Sequence, residues 1–282
     1  MGAKAANLGA PPVILSAVDI AAYLERIHYH GSASPEAATL RALSRCHLLS
    51  VPFENLDIHL GNPIMLNEQA LFKKIVQKGR GGFCYELNGL FAALLRALGF
   101  QVTMLNSLIP ETHNGWCGDY DHPILLVELD ERWIVDVGFG DAYRVPLRLD
   151  EREAQPGLHS QYRLTPVGDG KWEFWELEKG AWEFYYAFSL RPARLDDFVA
   201  ACHHYETSPK SSFTQKWVCT RATPEGHISL TESHLIITRG SQREERPLTG
   251  GADVAATLAD QFGIVLDGPL PRPTTGFSAP AE

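Results

Sequence analysis

The chain has 282 residues, a length that suits two or three packed subdomains with sizeable cores. Its composition, 45% hydrophobic and 21% charged, is that of an ordinary globular protein. Its formal net charge of −9 argues against non-specific nucleic-acid binding, which rests on neutralising phosphates with Lys and Arg.

No apolar run approaches the ~20 residues of a membrane-spanning helix, and the N-terminal stretch, with one Lys and a short apolar patch, is a poor signal or transit peptide. The five cysteines, Cys46, Cys84, Cys117, Cys202 and Cys219, are odd in number, widely spaced and free of any C-x-x-C pair. That pattern predicts free thiols in a cytoplasmic protein, not a disulfide framework or a zinc ribbon.

Along the chain, residues 16–100 read as helices. Ser16 precedes a stripe of Ile20, Tyr23, Leu24 and Ile27, with Asp19 where a capping-box acid belongs. Ser34-Pro35-Glu36 signals a second helix start, followed by Leu40, Leu43 and His47. Residues 51–63 (VPFENLDIHLGNP) break the helical period and read as a loop or short strand. Asn67 can cap a third helix carrying Leu71, Phe72, Ile75 and Val76. The fourth helix carries Leu87, Leu90, Phe91, Leu94, Leu95 and Leu98, and Gly99 stands where a left-handed C′ residue belongs, which places Cys84 in the first turn or at the cap.

From residue 101 the period changes to that of strands. FQVTMLNSLI precedes the polar loop PETHNGWCGDYD; HPILLVEL and RWIVDVGFG follow, joined by a short turn at Asp130-Glu131. The aromatic-rich run from Tyr162 to Leu190 holds Asp169-Gly170, a hairpin signal, and further strands lie in HISLTESHLIITRG. A last helix over 252–262 ends at Gly263, before a Pro/Gly/Thr-rich tail. Helices first, strands next and a mixed end predict the α+β class with a central antiparallel sheet or small barrel.

The chemistry centres on Cys84. As a free cysteine it can be a small packed hydrophobe; at a helix N-terminus it can also be a nucleophile, because the helix dipole and free N–H groups favour the thiolate. Arg80 could add positive potential, and Gly81 and Gly82 let backbone approach closely. A nucleophile needs a base, and His122, where the polar loop becomes a strand, is the leading partner. Asp136 is the one carboxylate in the apolar strand WIVDVGFG, which is costly without a partner and fits the group that orients an imidazole.

Register tests this pairing. A loop of Asp130 and Glu131 alone sets Asp136 opposite Leu125, on the other face from His122. An odd-length loop or a bulge puts both on one face.

VPFENLDI (51–58), RGGFCYELNGLF (80–91), DHPILLVEL (121–129) and WIVDVGFG (133–140) resemble, in order and spacing, the arylamine N-acetyltransferases, as do the helical start and residues 208–230. The resemblance implies an N-terminal helical bundle, a central antiparallel β-barrel and a C-terminal α/β lid, similar in core to papain-like and transglutaminase-like enzymes. It divides the chain into a loosely held 1–15, a helical 16–100 carrying the nucleophile, a barrel over 101–205 carrying His and Asp, a lid over 206–268 and an extended 269–282.

It also implies a Cys84-His122-Asp136 triad and ping-pong acetyl transfer from acetyl-CoA to arylamines, arylhydrazines or N-hydroxyarylamines, with no metal or bound prosthetic group. The partners implied are small molecules, not nucleic acid or membrane, for a monomer or weak homo-oligomer. Phe53, Phe139 and Phe213 are expected to line the acceptor pocket. Gly138 and Gly140 are expected to allow close approach of CoA, with Lys210, Lys216 or Arg221 as sources of charge. The same motifs serve amide synthases acting on carrier thioesters, and a cysteine hydrolase is a further alternative.

Overall fold

The structure, a computed structural model, describes residues 15–110, 118–140, 145–157 and 160–270. The two termini, the middle of the 110–121 loop and Cys117, for which expectations are given above, lie outside the described residues.

Helix α1 (Ala17–Arg26) begins with the expected capping box, the Ser16 hydroxyl accepting from the Asp19 N–H while Asp19 accepts from the Ser16 N–H. Helix α2 (Ala37–Ser50) starts later than its Ser-Pro signal suggests. Glu36 N–H closes a tight turn on the Ser34 carbonyl, and the Ser34 hydroxyl is taken up by Ser32, so neither is free to cap.

Residues 51–63 are not simply loop. They hold strand β1 (Phe53–Glu54) and helix α3 (Leu56–Leu60). Helix α4 (Glu68–Phe72) is capped by the Asn67 side chain as expected and runs on into a π-helical turn over Lys73–Gln77. Helix α5 (Cys84–Ala97) has twelve buried residues and ends at Gly99, which is left-handed at φ 91°.

Eight antiparallel strands then form the large sheet: β2 (Gln101–Leu108), β3 (His122–Glu128), β4 (Arg132–Val135), β5 (Leu147–Arg148), β6 (Gln155–Pro156), β7 (Gln161–Gly168), β8 (Lys171–Glu178) and β9 (Ala181–Ala193). Their order is β5-β4-β3-β2-β9-β8-β7-β6. The predicted hairpin forms between β7 and β8, with Asp169 and Gly170 both at positive φ.

The two sheet edges, β5 and β6, are joined by a side chain. The Gln155 amide accepts from the Arg148 N–H at 2.8 Å and donates to the Arg148 carbonyl at 2.9 Å, closing the barrel where backbone pairing stops. Tyr162, Leu164, Phe174, Tyr186 and Phe188 fill this barrel's interior with Leu105, Ile124 and Ile134. The sheet ends at Ala193, earlier than the expected 205, because Leu195–Phe198 is a 3₁₀ turn that leads into helix α6 (Val199–Thr207).

Helix α7 (Ser212–Gln215) follows, then β10 (Cys219–Ala222), β11 (Gly226–Leu230), β12 (His234–Arg239), β13 (Gln242–Pro247) and helix α8 (Gly251–Phe262). These strands join β1 in a second sheet of order β1-β10-β11-β12-β13, so residues 53–54 supply one edge strand of a sheet built from the C-terminal third. Strand β13, fully exposed and reading QREERP, is the opposite edge, and its charges suit an edge that must not pair with another chain. No described helix is long and apolar enough to cross a membrane.

Candidate active site

The site assembles where the start of α5 meets the ends of β3 and β4. Strand β4 pairs with β3 through Leu125 with Val135 and Glu128 with Arg132, so the connection is a three-residue loop, 129–131. That odd length gives the register that puts His122 and Asp136 on one face. His122 Nε2 lies 2.7 Å from Asp136 Oδ2, both side chains buried.

Asn88, a residue to which the sequence reading gave no role, holds this pair to the helix. It stands four residues after Cys84 on α5, one turn along the same face. Its Nδ2 donates to the Asp136 Oδ1 and to the Pro123 carbonyl, each at 2.8 Å, and its Oδ1 accepts from the Val137 N–H at 3.0 Å. Gly138 N–H completes the Asp136 carboxylate at 2.8 Å.

Gly138 itself is packed against the start of α5. A Cβ there would lie 2.8 Å from Cys84 Cα and 2.7 Å from Asn88 Nδ2, so only glycine allows this approach. The space left by its missing side chain is thus occupied by the protein itself. Gly140, at φ 76°, is the member of that pair with room beside it.

Behind Cys84, the Arg80-Gly81-Gly82 run lies along β1. A Cβ at Gly81 would sit 2.0 Å from the Pro52 carbonyl oxygen, and the Glu54 N–H donates to the Gly82 carbonyl. Arg80 does not project its charge at the thiol. It is buried between Glu54, at 2.8 Å, and Asp57, at 3.1 Å. Lys74 bridges Asp57 and Glu86, each at 2.8 Å, and Glu86 caps the helix by accepting the Phe83 N–H at 3.1 Å. Two cations and three carboxylates therefore form one buried network beneath the helix start, and the positive potential expected from Arg80 is cancelled there.

Burial pushes the Cys84 thiol well up from its ordinary value, as do the nearby negative charges of Asp121 and Asp136; a hydrogen bond from the Tyr85 N–H in the first turn acts the other way. In this environment proton removal depends on a partner base.

The three expected phenylalanines fall in two groups. Phe53 and Phe213 meet, ring centroids 6.1 Å apart, and Phe213 also packs edge-on to Phe83 and Tyr205. Phe139 packs instead edge-on to the His122 ring at 5.2 Å and against Tyr185 and Tyr186 of the barrel. The segment carrying Phe213 is tied to β1 and α3, its carbonyl accepting from Asn55 Nδ2 and sitting 2.9 Å from His59 Nε2.

Arg221 is structural, donating to the Leu49 and Gln261 carbonyls, whereas Lys210 and Lys216 are exposed on either side of Phe213. Among the described residues, no group of His, Cys, Asp and Glu is placed to hold a metal ion.

Such a fold, with a cysteine at a helix start and a histidine-aspartate pair on the facing sheet, belongs to the acyl-transferring class, and comparison with known proteins makes the family explicit. A family model described as N-acetyltransferase matches residues 36–270. The arylamine N-acetyltransferase of Escherichia coli is 35% identical over 249 residues, covering 87% of this chain and 88% of that protein. A Salmonella typhimurium relative named arylamine N-acetyltransferase / N-hydroxyarylamine O-acetyltransferase is 35% identical over 249 residues, covering 86% of this chain and 88% of the relative.

Among solved structures, the Salmonella typhimurium enzyme aligns with a TM-score of 0.83 at 33% identity, covering 89% of this chain and 92% of that one. The Mycobacterium marinum arylamine N-acetyltransferase in complex with CoA aligns with a TM-score of 0.78 at 30% identity, covering 87% and 92%. The chain belongs to the N-acetyltransferase family and is an acyltransferase of that fold.

Proposed function

We propose that this protein transfers an acetyl group from acetyl-CoA to the nitrogen of arylamines, arylhydrazines or N-hydroxyarylamines, through an acetyl thioester on Cys84. The observation that carries the site assignment is the His122–Asp136 hydrogen bond, clamped by Asn88 to the helix that begins at Cys84. The choice of donor and acceptor rests on the relatives, whose names give arylamine acetylation and one of which is solved with CoA.

Asp136 accepts from Nε2–H, which leaves the His122 Nδ1 as the base. Nδ1 takes the Cys84 thiol proton as sulfur attacks the thioester carbonyl. The carbonyl electrons move onto oxygen, facing the free N–H groups of the first turn of α5, where the Cys84 N–H is one donor. The tetrahedral adduct collapses, the bond to the CoA sulfur breaks, and CoA leaves with the proton from His122. Exchange of one thioester for another is nearly isoenergetic, so loading is reversible.

The acceptor amine then enters between Phe53 and Phe213 on one side and Phe139 on the other. It attacks the acetyl-cysteine and gives its proton to His122, and Cys84 leaves to recover its thiol. The aromatic walls select a flat acceptor. Gly140, together with Lys210 and Lys216, which stand exposed on either side of Phe213, is the proposed contact region for CoA, while Gly138 acts through packing.

In the same reading, residues 16–100 supply the nucleophile, 101–205 the base and its carboxylate, and 206–268 a lid that brings Phe213 to the site. No specific observation favours the amide-synthase or hydrolase alternatives. The test is steady-state CoA release with acetyl-CoA and an arylamine varied together. A ping-pong route predicts parallel double-reciprocal lines. Intersecting lines, meaning both substrates bound before CoA leaves, contradict it.

A further inference from the structure

Asp121, the residue before His122, is a second buried carboxylate at this site, and the triad chemistry does not use it. Its Oδ2 accepts the Ile109 N–H at 3.0 Å and its Oδ1 accepts the Tyr205 hydroxyl, which arrives from α6. Its own carbonyl accepts the Tyr85 hydroxyl at 2.6 Å, and Tyr85 is the neighbour of Cys84 on α5. The Ser107 hydroxyl donates to the next carbonyl, that of His122, at 2.9 Å. One short segment is thus fixed from α5, α6 and β2 together. Among the described residues, no Lys, Arg or His side chain pairs with the Asp121 carboxylate; its hydrogen-bond donors there are one hydroxyl and one amide.

An ion pair would neutralise this carboxylate; two neutral donors hold it in place and leave most of its charge standing. The groups that act on Cys84 are Asp121 just before β3, Asp136 after β4, Tyr85 on its own helix and Cys202 on α6, with Tyr205 bound to Asp121. Asp121 and Asp136 are the carboxyl groups of this set.

We propose that Asp121, held by Tyr205 and Ile109, is a positioning residue for His122 whose fixed negative charge sets the pH at which the Cys84-His122 pair becomes reactive. The assignment rests on the reading of Cys84 and His122 given above. Loss of the first proton from that pair is opposed by a nearby negative charge, whichever of the two groups releases it, so the direction of the effect does not depend on which is assigned the proton. The Tyr205 hydroxyl withdraws part of that charge, and its removal acts in the opposite direction. Tyr205 also packs against Phe213, so the acceptor wall and the charge beside the base share one side chain.

The experiment is the pH dependence of Cys84 alkylation by iodoacetamide, followed by peptide mass, in the parent, Asp121→Asn and Tyr205→Phe. Alkylation at Cys84 rather than at another thiol tests the nucleophile assignment separately. For Asp121→Asn the midpoint is expected to fall by about one pH unit, the size of shift one neighbouring charge produces. For Tyr205→Phe, which keeps the ring packing, it is expected to rise. A folded Asp121→Asn with an unmoved midpoint overturns the proposal. If that variant does not fold, an unmoved or lowered midpoint in Tyr205→Phe overturns it. Loss of thermal stability alone, with both midpoints unchanged, leaves Asp121 as a purely structural residue and counts against it.

Discussion

At the scale of single residues, Asn88 and Asp136 carry the same signal, a polar side chain inside an otherwise apolar run. Both are expensive to bury unless partnered. In the sequence, Asp136 drew attention because a triad needs a carboxylate, whereas Asn88 sits inside a strong helical pattern that explains its neighbours without it. Its three hydrogen bonds run to residues 35 to 49 positions away, and nothing local in the sequence announces them.

Asn88→Ala leaves Pro123, Asp136 and Val137 each short of a partner. It is expected to lower stability by about 1–3 kcal/mol, the cost of stranding buried polar groups, measured by urea unfolding. It is also expected to slow acetyl loading much more than it weakens acetyl-CoA binding, which single-turnover CoA release resolves. Cys84 by its own position reads equally as a packed thiol or a nucleophile, and only such partners distinguish the two. The motif in which it lies made the family legible, while Arg80 misled, because its buried carboxylate partners lie 23 and 26 residues away.

At the scale of elements, helix boundaries followed side-chain capping where the capping group was free, as at Ser16 and Asn67, and failed at Ser34, whose hydroxyl is engaged elsewhere. The three-residue 129–131 loop is the element on which the site depends. Deleting Asp130 leaves a two-residue loop that turns Asp136 away from His122. It is expected to abolish acetylation while leaving the far-ultraviolet circular dichroism of the folded protein in place; retained activity would show that another group orients His122.

Helix α2 buries a histidine that the reaction does not use. His47 packs edge-on to Phe91 and bonds the Tyr23 hydroxyl through Nδ1 at 3.0 Å. Burial, helped by the positive charge of Arg26, pushes its pKa down to about 3. The folded state therefore keeps His47 neutral, while the unfolded chain takes a proton below its ordinary value of about 6.5. The stability this group contributes is present above pH 6.5 and is lost as pH falls towards 3, at about 1.4 kcal/mol per pH unit. His47→Gln is expected to flatten that slope by one proton between pH 6 and about 4.5, read from urea midpoints along a pH series; an unchanged slope would mean that His47 titrates normally in the folded protein.

At the scale of the molecule, the order of helices, strands and a mixed end was enough to place the chain in the α+β class, because period and punctuation are local signals. The pairing of β1 with β10 was not legible. Two residues carry no period, and they meet partners more than 160 positions away. The closure of the barrel was hidden for a related reason, since a single glutamine does what a strand pair would otherwise do. Gln155→Ala is expected to lower stability by about 1–2 kcal/mol through two lost hydrogen bonds at the Arg148 backbone. The rate of acetyl loading per folded molecule should stay unchanged, which calorimetry and CoA release check together.

The central claim, that acetyl transfer passes through Cys84 activated by His122, is tested most directly by mixing the protein with acetyl-CoA in the absence of acceptor and following free CoA alongside intact mass. The account predicts a burst of one CoA per active site and one acetyl adduct that maps to Cys84. The adduct should disappear on adding an arylamine and be absent in Cys84→Ala and, at neutral pH, in His122→Ala. CoA release without an adduct, or an adduct that persists in Cys84→Ala, would contradict it.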